Sequence, residues 1–121
     1  MVLILGGFGA GKRAYARSLG FSDADMSADA RSDALVLFAL EELVRNDPER
    51  AESLLPLLRK KKLVLCCEVG SGVIPMNEKD RAYREAVGRL CCTLAKEADA
   101  VVRVSAGIPV AIKGELPCAC E

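Results

Sequence analysis

The chain has 121 residues, room for one compact domain and too few for two. Its 17 Lys and Arg balance 17 Asp and Glu, so nothing global argues for nucleic acid or an anionic membrane as partner. Hydrophobic residues make up 51% and aromatics only 4%, which suits a Leu, Val, Ile and Ala core of the parallel-sheet kind, and the absence of histidine excludes His-based acid/base catalysis and His metal ligation.

In chain order, Val2–Leu5 is a fully apolar run, expected as a buried parallel strand. It is read as a strand and not as a signal peptide, because no basic stretch precedes it, and the default location is the cytoplasm. No apolar run is long enough to span a bilayer. Gly6–Lys12 is a loop, and Arg13 to about Leu19 a helix stopped by Gly20. Residues 21–33 hold a short strand or only a loop. The spacing of Leu35, Phe38 and Leu43 predicts a helix over Ala34–Arg45, and a second helix is expected over 49–60, opened by Pro48. Leu63–Cys67 reads as a second buried strand, and Glu68–Pro75 as a Gly-rich loop. Asn77 is placed to cap a long helix running to about Ala98. Short strands at Ala100–Val104 and Val110–Lys113 complete a single domain over 1–114, with 115–121 as a tail.

The loop carries the chemistry. Residues GGFGAGKR follow an apolar strand and precede a helix, close to the pattern G-x-x-x-x-G-K-[ST]. Glycines let successive N–H groups curl inward around an anion, and the helix N-terminus adds partial positive charge. The phosphate-binding residues are therefore expected to be Gly6, Gly7, Phe8, Gly9, Ala10, Gly11, Lys12 and Arg13, with Lys12 reaching the terminal phosphates of a nucleotide. This predicts an α/β, P-loop NTPase-like three-layer sandwich, with a mostly parallel sheet and a C-terminal strand pair. One position breaks the pattern: the Ser or Thr whose hydroxyl ligates Mg²⁺ is Arg13, a permanent cation that ligates no metal. Three readings stay open. Arg13 points away and leaves a weak metal site, or replaces the metal as a phosphate clamp, or marks a loop that has lost its nucleotide. Glu68 directly follows KLVLCC, where a strand-end carboxylate holds Mg²⁺ or polarises the attacking group, so it is the candidate catalytic and metal-binding acid.

From EVGSGVIP onward the chain resembles the bifunctional adenosylcobinamide kinase / adenosylcobinamide-phosphate guanylyltransferase family of cobalamin biosynthesis. The family pattern is roughly NEVGxGxVP, then RxFRDxxGxxNQxxAxxADxVxxVxxGxPxxxK. This chain reads CEVGSGVIP, then RAYREAVGRLCCTLAKEADAVVRVSAGIPVAIK. Glu68, Gly70, Gly72, Pro75, Arg81, Arg84, Gly88, Asp99, Gly107, Pro109 and Lys113 all fall in place, and GGFGAGKR looks like the family's GGxxSGKS. The resemblance implies ATP or GTP as cofactor, Mg²⁺ that is weak or absent because of Arg13, a corrinoid (cobinamide) substrate phosphorylated on a side-chain hydroxyl, and a homo-oligomer. Arg81 or Arg84 would add a cation, although a solvated helix face pairing with Asp80 and Glu85 is the preferred reading.

Further departures count against full function. The middle is short and lacks the histidine that takes up the guanylyl group, so guanylyl transfer is not expected. Cys67 stands before Glu68 in place of Asn, and Cys91-Cys92 replace Asn-Gln. The family's further acidic residue has no clear counterpart; Asp23 or Asp25 would stand in. Alternatives to a kinase are an inactive nucleotide-binding module and a structural or regulatory homologue. The Arg59–Lys62 run is expected to complement a helix end and stay solvated. The six cysteines lack the spacing of common zinc sites and are read as reduced thiols.

Overall fold

A computed structural model describes residues 1–68 and 77–117. Gly70, Gly72 and Pro75 of the Gly-rich segment, and the tail cysteines Cys118 and Cys120, lie outside the described residues. The elements are β1 (Val2–Gly6), α1 (Lys12–Ser18), β2 (Met26–Ser27), β3 (Val36–Leu37), α2 (Leu40–Asn46), α3 (Leu55–Leu58), β4 (Leu63–Cys67), α4 (Glu78–Glu97), β5 (Ala100–Ser105) and β6 (Ile108–Lys113).

The strands form one sheet in the order β2-β3-β4-β1-β5-β6, parallel except for β6, which returns antiparallel to β5. Side chains alternate across it, as a strand's period of two requires. Leu3, Val64, Cys66 and Val101 bury one face against α2 and α4, while Ile4, Leu63, Leu65, Val102 and Val104 bury the other against Ala16 and Leu19. Because both faces are covered, the central strands are continuous apolar runs without alternation. The expected three-layer P-loop NTPase-like sandwich with a C-terminal strand pair is the fold.

Helix α4 follows its sequence closely. The Asn77 side chain accepts from the Asp80 N–H at 2.7 Å, Glu78 and Asp80 sit in the first turn, and Tyr83, Ala86, Val87, Leu90 and Leu94 form the buried stripe. At its other end Lys113 donates to the carbonyls of Ala95, Lys96 and Ala98 at 2.8–2.9 Å, closing acceptors the last turn leaves open.

Two expectations are corrected. The helix predicted over Ala34–Arg45 divides: Val36 and Leu37, both fully buried, pair with β2 on one side and β4 on the other, and the Lys62 N–H donates to Leu35 O at 2.8 Å. Leu35, counted on the helix's buried face, is 42% exposed. Left-handed Ala39 (φ 59°) then turns the chain into α2, which starts only at Leu40. The helix predicted over 49–60 is instead a 3-10 stretch, Pro48–Leu54, kinked at Arg50, followed by the single turn α3. Residues 21–33 contain the short strand β2. The terminal hairpin is tighter than expected, because Ala106 and Gly107 (φ 49° and 77°) alone form the turn and β6 starts at Ile108.

Candidate functional site

Strands β1 and β4 lie side by side and end at the same level, with Gly6 opposite Cys67 and the Glu68 N–H donating to Gly6 O at 2.9 Å. The loop Gly7–Gly11 therefore springs from the carboxyl edge of the sheet, where open α/β sheets hold their ligands. Gly11 caps α1 in a left-handed conformation (φ 99°), and a Cβ there would lie 3.2 Å from the Gly107 Cα. Gly6 is as constrained: a Cβ would come within 2.7 Å of Val104 O. The Gly107 N–H donates to Ala10 O at 2.8 Å, so the β5–β6 turn braces the loop from behind. Lys12 curls back, its Nζ donating to the carbonyls of Gly6 and Gly7 at 3.1 and 2.9 Å.

A cleft of about 510 Å³ opens in front of the loop. Phe8, Gly9, Ala10, Gly11, Lys12 and Arg13 line one side; Phe38, Glu41 and Glu42 line the other, with Cys67 at the floor. The loop residues and Lys12 named from the sequence thus converge. Arg13 lines the cleft as well, with its guanidinium carbon 3.9 Å from the centroid of the Phe38 ring, a cation–π contact. Phe38 directly follows β3, the strand beside β4. It holds a strand-end position of the kind from which P-loop enzymes present a carboxylate to Mg²⁺.

Glu68 stands at the strand end as expected, but its carboxylate is turned to Arg103, Nε to Oε1 at 2.8 Å, and does not line the cleft. The carboxylates that do are Glu41 and Glu42, and the Glu41 Oε1 accepts from the Cys67 N–H at 2.8 Å. Sequence reading missed Glu41 and Phe38 because both were assigned to one long helix; only the brief strand β3 swings them to the sheet's edge. The Cys67 thiol registers this convergence of charge. Burial pushes its pKa up, Lys12 pulls it down, and Glu41 and Glu68 push it up again.

Other candidates fall elsewhere. Asp25 caps its own turn by accepting from the Ser22 N–H at 2.8 Å, and Asp23 pairs with Arg17 at 2.9 Å, so neither supplies an acid to the cleft. Arg84 pairs with Asp80 at 3.3 Å along α4. The Arg59–Lys62 run is not simply solvated: Arg59 forks onto Glu97, and Lys61 is buried with its Nζ 2.7 Å from the carbonyls of Ser32 and Ala34. No group of three potential metal ligands occurs among the described residues. Arg13 offers a metal no ligand and Glu68 is held by Arg103, so among the described residues the carboxylates that line the cleft are Glu41 and Glu42.

Sheet order, loop and cleft define an α/β domain of the P-loop NTPase-like class. Residues 31–112 match the CobU family, cobinamide kinase / cobinamide phosphate guanyltransferase. The chain is 31% identical over 101 residues to the bifunctional adenosylcobalamin biosynthesis protein CobP of Pseudomonas aeruginosa, a match covering 78% of this chain and 58% of that relative. The chain belongs to the CobU family, and it spans little more than half the length of the curated relative it matches. No helix among the described residues is long and apolar enough to cross a membrane.

Proposed function

We propose that the chain binds ATP or GTP through residues Gly6–Arg13, with Lys12 and Arg13 answering the phosphate charge in place of a metal. The observation that carries this reading is the curled loop at the end of β1: left-handed Gly11 at the helix start, and Lys12 folded over the Gly6 and Gly7 carbonyls. To meet a phosphate at this loop, Lys12 would swing outward from the Gly6 and Gly7 carbonyls.

Phosphoryl transfer to a corrinoid side-chain hydroxyl is the reaction the family relationship suggests. In it the acceptor oxygen bonds to the terminal phosphorus as the bond to the nucleoside diphosphate breaks. Lys12 and Arg13 neutralise the moving charge, and Glu68 or Glu41 orients the acceptor hydroxyl and takes its proton. Guanylyl transfer through a histidine is not open to a chain without one. The second reading, a nucleotide-binding module without turnover, is favoured by the Arg13–Phe38 stack, which puts a cation where the loop pattern has its metal-binding hydroxyl. Self-association is part of the proposal. Its support is edge strand β6, whose Ile108, Val110 and Ile112 are 55–64% exposed on one face.

Thermal shift with ATP, GTP and their diphosphates, each with and without Mg²⁺, tests the binding claim. At a hundred times its dissociation constant, a ligand adds about 2.7 kcal/mol. The stabilisation is expected without Mg²⁺ and is expected to vanish in Lys12→Ala. No stabilisation by any nucleotide overturns the proposal. Transfer of the terminal phosphate of labelled nucleotide to adenosylcobinamide separates kinase from binding module.

A further inference from the structure

The sequence holds two adjacent cysteine pairs, and the structure splits each of them. Cys67 lines the cleft and Cys92 is exposed on α4. The other member of each pair meets across the sheet–helix interface: Cys66 on β4 and Cys91 on α4 have their Sγ atoms 3.7 Å apart. Cys66 is fully buried in the core between sheet and α4, and Cys91 sits partly exposed at its rim. Neither thiol takes part in the proposed nucleotide site. No third His, Cys, Asp or Glu among the described residues completes a metal site with them, which leaves sulfur–sulfur chemistry as what this contact can do.

We propose that Cys66 and Cys91 form an oxidation site, which a hydroperoxide converts to an intramolecular disulfide joining β4 to α4. The Cys91 thiolate attacks the peroxide oxygen. The O–O bond breaks, leaving a sulfenic acid at Cys91 and releasing water or an alcohol. The Cys66 sulfur then attacks the Cys91 sulfur; the S–S bond forms, the S–O bond breaks, and the hydroxide leaves as water with the Cys66 proton. In sum, two thiols are oxidised and one hydroperoxide is reduced. The order of events follows from the setting. Cys91 is partly exposed at the rim, so it meets the peroxide first. Cys66 is fully buried, and burial favours its protonated form, so it acts second. The two Sγ atoms are 3.7 Å apart, in van der Waals contact, and must close to about 2.05 Å to bond. The proposal does not depend on the nucleotide reading.

The test is peptide mapping of the full chain after treatment with hydrogen peroxide and alkylation of the remaining thiols. Trypsin places Cys66 in the peptide 63–79 and Cys91 in 90–96. A linked pair of these peptides, lighter by the two hydrogens lost and released by dithiothreitol, is expected. It should persist in Cys67→Ser/Cys92→Ser and disappear in Cys91→Ser, and the oxidised chain should melt at a higher temperature than the reduced one. Absence of the linked peptides in the wild-type chain, their loss in Cys67→Ser/Cys92→Ser, or their survival in Cys91→Ser overturns the proposal. Where circular dichroism shows Cys91→Ser unfolded, the Cys67→Ser/Cys92→Ser result decides alone.

Discussion

At Arg13 an oxygen ligand has given way to a guanidinium, and Phe38 shows where that cation rests. The guanidinium lies 3.9 Å from the Phe38 ring centroid, so the cation that stands at the loop pattern's hydroxyl position is held over a π-face at the end of β3. Arg13→Ser is therefore expected to weaken Mg²⁺-free nucleotide binding by about 10- to 100-fold, the loss of one charge-assisted contact. It should also make binding Mg²⁺-dependent; titration calorimetry with and without EDTA reads both, and unchanged Mg²⁺-free affinity would contradict the clamp. Lys12 and its glycines were legible in the sequence because the motif is contiguous and announces its own backbone. Phe38 and Glu41 were not. They reach the cleft through sheet order, which no local spacing encodes.

Among the elements, the long helix and the buried strands were legible, and the middle of the chain was not. Helix α4 has a cap, an acidic first turn and an apolar stripe, all pointing the same way. Strand β3 has two residues, fully buried on both sides, and a run that short has no period of its own. What holds it is partly Lys61, read in the sequence as one more solvated cation. Its ammonium ties down the carbonyls of Ser32 and Ala34 just before β3. Lys61→Ala strips both acceptors and is expected to cost about 1–3 kcal/mol, seen as a lower urea midpoint with unchanged slope. Arg59 and Glu97 join the end of α3 to the end of α4. The hydrogen bond from Arg59 lowers the Glu97 pKa, so the pair contributes above the ordinary carboxylate value of about 4.3 and fades as pH falls through the lower folded value. Glu97→Gln should flatten the acid limb of the stability profile as pH falls below the ordinary carboxylate value, leaving its alkaline limb unchanged; denaturant midpoints across the acid range check it.

For the whole molecule, composition and the opening motif were enough to specify an α/β sandwich. The balance of charge is silent on self-association. The terminal hairpin carries three branched apolar side chains on its outward face, on a strand with no partner beyond it among the described residues. A second copy of the chain is the expected cover, since the face repeats at strand spacing and carries no charge on Ile108, Val110 or Ile112. Sedimentation velocity should then show a species larger than a monomer, and Ile112→Lys should return it to monomer while circular dichroism stays unchanged. A wild-type chain that sediments as a monomer at all concentrations removes this expectation.

The contact between Gly107 and Ala10 makes these matters inseparable. The turn that begins β6 also supplies the donor to a carbonyl of the phosphate loop, so the loop and the apolar edge share one short piece of backbone. A coupling carried by this hydrogen bond would run both ways by equal factors. In an assembly joined through β6, nucleotide would shift the dissociation of the copies, and dilution would in turn weaken nucleotide binding. The chain would report on its own concentration through the occupancy of its loop.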